Sequence, residues 1–282
     1  MRNKTTILIL AATALAVAVH ACSGHSSGAQ TRGLRGLDSL PPDIQNLVRA
    51  VAANDTDAFA AAVSYPLPRP YPLRDIATDT AMRRYYALIM DDTLQRVMTD
   101  DPGASWVDCG WRGWSAGDGN YLWYDDGIYA IPYLSAREKA LRDSLVRREM
   151  ASLYKPMRQG WQPVACYRGA DTDSIFRIDS RQIAGKVPQF RLAAYASPAV
   201  MRDRPAWEIN GYRTIDGSAM IETYTFECRD ARGGAVTTVT FSPDLPNAGD
   251  GIGLRIERQG QPERTLYIVP AYWLDMLPPQ PR

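Results

Sequence analysis

Residues 219–229 read AMIETYTFECR, and the alternation in this stretch decides the class of the C-terminal half. Met220, Tyr224, Phe226 and Cys228 fall on one side of an extended chain, with Glu222 the exception, because successive side chains of a strand point to opposite faces. Similar runs surround it between about Gln162 and Leu277: VACYR from Val164, SIFRID from Ser174, QFRLAAYA from Gln189, AWEINGYR from Ala206, AVTTVTF from Ala235, IGLRIERQ from Ile252 and RTLYIVP from Arg264. Turn signals separate them, among them Gly233-Gly234 and PNAGDG from Pro246. The pattern predicts an all-β domain over 161–282, a barrel or a sandwich, and about eight strands are enough to close a barrel and remove its exposed edges.

Upstream the hydrophobic period lengthens. Ile44, Leu47, Val48, Val51 and Ala52 follow the spacing of one helical face, behind a Pro41-Pro42 start. A short helix through Phe59 and Val63 must stop at YPLPRPYP from Tyr65. A third helix, capped by Thr78 or Asp79, carries Met82, Tyr85, Tyr86, Ile89, Leu94 and Val97. Then WVDCGWRGWSA (106–116) and YLWYDDGIYAI (121–131) flank GDGN, whose Asp118-Gly119 pair predicts a two-stranded aromatic hairpin. Ser135 and Glu138 form a capping box opening a helix in which Leu141, Leu145, Leu153 and Tyr154 alternate with charges, read as a solvated face.

The succession of short helices, the YPL run, the Tyr85-Tyr86 helix, the WRG strand and the GDGNYLW return resembles the NTF2-like, cystatin-like cone fold over about residues 42–160. The resemblance implies a curved antiparallel sheet around a helix with a conical pocket. Some members use that pocket for isomerase, dehydratase or epoxide-hydrolase chemistry, and many only bind or dimerise, which leaves a homodimer open. Only two long strands precede Ser135, fewer than the family usually has. The series RLAAYA, RPAWEINGYR, DGSAMIETYTF resembles C-terminal β modules of bacterial lipoproteins and implies no biochemistry. The expected class is therefore α+β: an NTF2-like domain at 41–160, then the barrel or sandwich.

Arg2 and Lys4 precede an apolar run from Thr5 to Val19, too short for the ~20 residues that span a bilayer, so it reads as an export signal. Val19-His20-Ala21-Cys22 resembles the lipobox of bacterial lipoproteins. That resemblance implies cleavage of a signal peptide at 1–21 and acylation of Cys22, several chains together giving a stable membrane anchor. Residues 22–40, beginning with the small polar run SGHSSGAQ after Cys22, read as a flexible tether. No acidic cluster follows Cys22, which favours the outer membrane, facing the periplasm.

The chain has 32 basic and 31 acidic residues, and loss of Arg2 and Lys4 leaves 30 against 31, so no field exists to hold nucleic acid. Both histidines, His20 and His25, precede any foldable segment, which removes Ser-His-Asp, Cys-His and His-ligated metal chemistry from the body. Three cysteines remain beside Cys22. Cys166 and Cys228 are expected to pair as a disulfide, with Cys109 a buried thiol. Tyr85, Tyr86, Asp108, Trp111, Arg112, Trp114, Trp123 and Tyr124 are the candidate pocket, because aromatic walls with a few polar groups make small-ligand sites. The competing reading packs these rings in the core and pairs Asp108 with Arg112. No catalytic, metal or cofactor motif is present, so the expectation is a non-enzymatic envelope protein that binds a partner protein or glycan. The alternative is small-molecule binding or weak lyase or isomerase activity in the cone.

Overall fold

The computed structural model describes residues 34–216, 221–229, 233–243, 246–247 and 251–278. Cys22, the signal segment, the tether as far as residue 33, and Met220 lie outside the described residues. Residues Leu34–Arg282 form one compact unit. No helix among the described residues is long and apolar enough to cross a membrane.

Helices α1 (Pro42–Ala52), α2 (Thr56–Ala61), α3 (Asp79–Ile89), α4 (Asp92–Thr99) and the single turn α5 (Pro102–Ser105) come first. Ile44, Leu47, Val48 and Val51 are buried as their spacing requires, and Leu37 and Leu40, at the end of the segment read as a tether, join the same core. Thr78 caps α3, its hydroxyl accepting from the Ala81 amide. The expected third helix is two helices. Asp91 interrupts it by taking the amides of Thr93 and Leu94 at 3.1 and 3.0 Å, a competing cap that ends one helix and starts the next.

The Asp91 carboxylate also accepts from the Tyr133 hydroxyl at 2.8 Å. Partial burial alone would raise its pKa, but the Leu94 amide, the Tyr133 hydroxyl and the Thr93 amide together hold it below the usual carboxylate value. A depressed folded-state pKa gives stability that is present above the ordinary value and lost as pH falls through the lowered one. Asp91→Ala should cost about 1 kcal/mol near neutral pH and flatten the stability loss seen below about pH 4. Thermal unfolding of both forms across that range tests this, and parallel pH curves would refute it.

The aromatic hairpin proves to be four short strands, β1 (Trp106–Asp108), β2 (Trp114–Ala116), β3 (Leu122–Tyr124) and β4 (Ile128–Ala130), in antiparallel order β1-β2-β3-β4. The Asp118-Gly119 turn forms as expected, with φ of 54° and 77°. Each expected long strand is broken by positive-φ residues, Gly110 and Gly113 in one and Asp126 and Gly127 in the other. Helix α6 (Ala136–Ser152) follows.

The C-terminal half is an eight-stranded closed antiparallel barrel: β5 (Gln162–Gly169), β6 (Ile175–Arg181), β7 (Gln189–Tyr195), β8 (Trp207–Asp216), β9 (Ile221–Arg229), β10 (Ala235–Phe241), β12 (Gly251–Arg258) and β13 (Arg264–Pro270). Each pairs with the next, β10 pairs with β12, and β13 closes on β5; the short β11 (Pro246–Asn247) flanks β12. A final turn, α7 (Trp273–Met276), follows. Period-two alternation sends Phe176, Ile178, Phe190, Leu192, Tyr224, Phe226, Val239 and Leu254 inward. Gly211 sits opposite Phe226 and Phe190, and a Cβ there would lie 2.7 Å from the Phe226 ring, so the missing side chain makes room for these rings.

The expected Cys166–Cys228 bridge does not form, and both are free thiols. Cys166 faces outward from β5 into a small core with Leu153, Tyr195 and Trp273, whereas Cys228 is exposed on β9, across the barrel. A disulfide needs Cα atoms within roughly 7 Å, which strands on opposite sides of a filled barrel cannot supply.

Candidate functional site: an exposed aromatic face

Cross-strand register sorts the aromatic residues of β1–β4 onto two faces. Trp106, Ala116 and Leu122 share one face and are buried in the helical core, and Trp114 and Tyr124, paired with each other, pack against it. Val107, Ser115 and Trp123 share the other face. There Val107 is 41% exposed, Tyr129 of β4 is 37% exposed, and Trp111, on the turn Gly110–Arg112, is 77% exposed.

These outward groups are linked. The Trp123 and Tyr129 ring centroids are 6.4 Å apart, the Tyr129 hydroxyl donates to the Arg112 carbonyl at 3.1 Å, and the Arg112 guanidinium lies 5.0 Å from the Trp111 ring centroid. Trp123 is pinned by its indole N–H, which donates to the Gly119 carbonyl. Asp108 accepts from the Gly110 amide at 2.8 Å and sets the turn that presents Trp111. The expected Asp108–Arg112 ion pair is not made; the carboxylate is used locally instead.

Of the expected pocket residues, then, Trp111, Arg112 and Trp123 come together on an outer face, whereas Asp108, opposite Trp114 in the register, belongs to the inner face at its exposed end. Trp114 and Tyr124 lie on the inner one. Tyr86 is core, edge-on to Phe59 at 5.3 Å. Tyr85 is 41% exposed and turns away, toward a cleft of about 340 Å³ lined also by α6 and α7. The eight do not enclose one pocket, because alternation along a strand and successive positions on a helix send neighbours in different directions.

Burial, then the nearby Asp125 and Cys109, raises the Tyr129 phenol; burial, then Asp55, raises Tyr86. Both stay protonated near neutral pH; the Tyr129 hydroxyl serves as a donor, whereas that of Tyr86 is buried without a hydrogen-bond partner among the described residues. Cys109 is half-buried, its Sγ 3.4 Å from Ser115 Oγ, with no imidazole among the described residues to activate either. What this face offers is flat aromatic area beside a guanidinium, the residue mixture that dominates binding energy at interfaces.

Sequence reasoning misplaced the charges of α6. Ser135 Oγ accepts from the Glu138 amide and the Ser135 amide donates to the Glu138 carboxylate, as the capping box requires, but that carboxylate is also buried against Arg69, 2.6 Å away. Glu149, Arg177 and Asp179 are also fully buried, and Arg191 nearly so. Arg177 bridges Glu149 and Asp179, Arg191 takes the other Asp179 oxygen at 2.6 Å, and the Tyr71 hydroxyl donates to Glu149 at 3.0 Å. Burial raises the Glu149 carboxyl, opposed by Arg177 and Tyr71. Beside this cluster burial pushes Tyr195 up to about 12. The charges form a seam that ties α6 to the outside of β6 and β7. No signal in the sequence marks them, because a glutamate read singly looks solvated until its arginine is placed. Compared with known protein families, curated proteins and solved structures, the chain matches none.

Proposed function

We propose that this chain is a lipid-anchored protein of the bacterial cell envelope, tethered through Cys22 to the outer membrane and facing the periplasm, that works by binding a partner protein and not by catalysis. The observation that carries the reading is Trp111, 77% exposed and stacked on Arg112 beside Tyr129 and Trp123. An indole left in water forgoes stabilisation of order 2 kcal/mol that burial would return, and docking a partner recovers it. The lipobox-like Val19–Cys22 sequence supports the anchor. An NTF2-like assignment for 41–160 belongs to the same reading, supported by helices preceding a small antiparallel sheet and the long α6. The enzymatic alternative has less support, since Tyr86, Trp114 and Tyr124 pack into the core where a cone would be hollow.

The test is photocrosslinking in intact cells, with p-benzoylphenylalanine in place of Trp111 and, as control, in place of Val187, 75% exposed near the barrel. A discrete protein adduct from position 111 alone is expected. Equal labelling from both positions, or none, would sink the proposal, and a polysaccharide adduct would replace the protein partner by a glycan.

A further inference from the structure

Helix α6 is inverted: it buries Glu138 and Glu149 and leaves Leu141 36% exposed. Leu141, Leu145 and Arg148 are spaced i, i+4, i+7 and so share one face. That face forms one wall of the cleft of about 340 Å³, whose other apolar groups include Leu73, Ile76, Leu88 and Leu274. Such a volume is at the lower end of small-ligand sites, about 300–1,000 Å³.

The charges lining the cleft leave one over. Glu138 is held by Arg69 at 2.6 Å, Glu149 by Arg177 and Tyr71, and Asp275 by Arg74 at 2.5 Å. Arg148 has no partner among the described residues. The Tyr85 hydroxyl, also lining the cleft, makes no hydrogen bond among them. A cavity with aliphatic walls, one uncompensated guanidinium and one free hydroxyl donor matches a molecule with an aliphatic body and a single negative charge.

We propose that this cleft binds a free aliphatic monocarboxylate, its chain lying along Leu141 and Leu145 and its carboxylate on Arg148, with Tyr85 a second donor. The site is separate from the Trp111 face and does not depend on that face's role.

Dodecanoate, below its micelle concentration, is the probe, titrated into the chain from Ser23 onward, which retains the whole compact unit. Binding is read by calorimetry and by the change in tryptophan fluorescence, to which Trp273, which lines the cleft, contributes. Saturable binding at one site per chain is expected, weakened at least about tenfold by Arg148→Glu and by replacing dodecanoate with dodecyltrimethylammonium. Leu141→Asp should abolish it, and Trp111→Ala should leave it unchanged. Both cleft substitutions are at exposed or half-exposed positions, and their melting temperatures are checked in parallel. Unsaturable uptake, equal affinity for the cationic amphiphile, or indifference to Arg148→Glu would overturn the proposal. So would binding to phosphatidylglycerol vesicles without binding to free dodecanoate, which would make the cleft a lipid-surface contact.

Discussion

Arg177→Ala is expected to destabilise the protein by about 3–5 kcal/mol, the cost of leaving buried charge without its partner. Arg177 is fully buried between Glu149 and Asp179, and its guanidinium lies 4.9 Å from the Trp273 ring centroid. Its removal strands the Glu149 carboxylate, which keeps only the Tyr71 hydroxyl, while Asp179 keeps Arg191. The loss should therefore be concentrated on Glu149. Adding Glu149→Gln to Arg177→Ala should restore part of the stability, because a neutral amide can accept from Tyr71 without carrying buried charge. Chemical unfolding of the two single variants and the double variant gives the coupling energy. Additive effects would show that Glu149 and Arg177 do not depend on each other, and the seam between α6 and the barrel would have to be explained by packing alone.

Phe226→Ala should cost a similar amount, about 3–5 kcal/mol, for a different reason. Phe226 is fully buried, its ring centroid 6.3 Å from both Tyr224 and Phe241, while Tyr224 and Phe241 stack at 5.3 Å. Phe190 and Tyr167 meet this group edge-on at 5.3 and 5.6 Å. Truncation removes the transfer energy of a ring and leaves a void that rigid strands on either side cannot close. In a chain of this size the melting temperature should fall by roughly 6–20 °C. A fall of only a degree or two would mean that the barrel interior is loosely filled and could hold a ligand. The dense aromatic packing argues that the barrel is a core and a scaffold, with binding left to its surroundings.

Much of the architecture was legible because its cause is local. The runs from Val164 to Pro270 became the barrel strands, and the side predicted by Tyr224 and Phe226 is the side that faces inward. The turn at Asp118-Gly119 and the caps at Thr78 and Ser135 were equally readable, since a positive φ or an orphan amide is satisfied within a few residues. Cys228 departs from the buried side of its own strand because it lies near the strand's end, where alternation continues but enclosure does not.

The candidate site was legible by composition and not by arrangement. Trp111, Arg112 and Trp123 do assemble, but on the outside of a sheet, with Asp108 on the opposite face, since neither aromaticity nor period says which face meets the helices. The charges of α6 show the same limit more sharply. Glu149 finds Arg177 28 residues later, and Glu138 finds Arg69 69 residues earlier. By itself the sequence determined strands, turns, caps and the alternation that fills the barrel, because backbone geometry and short-range hydrogen bonds settle those within a few positions. The tertiary structure alone decided which charges are buried and which leucines and tryptophans stay in water. A charge can leave water only where a distant partner compensates it, and that partner's position is a property of the whole fold.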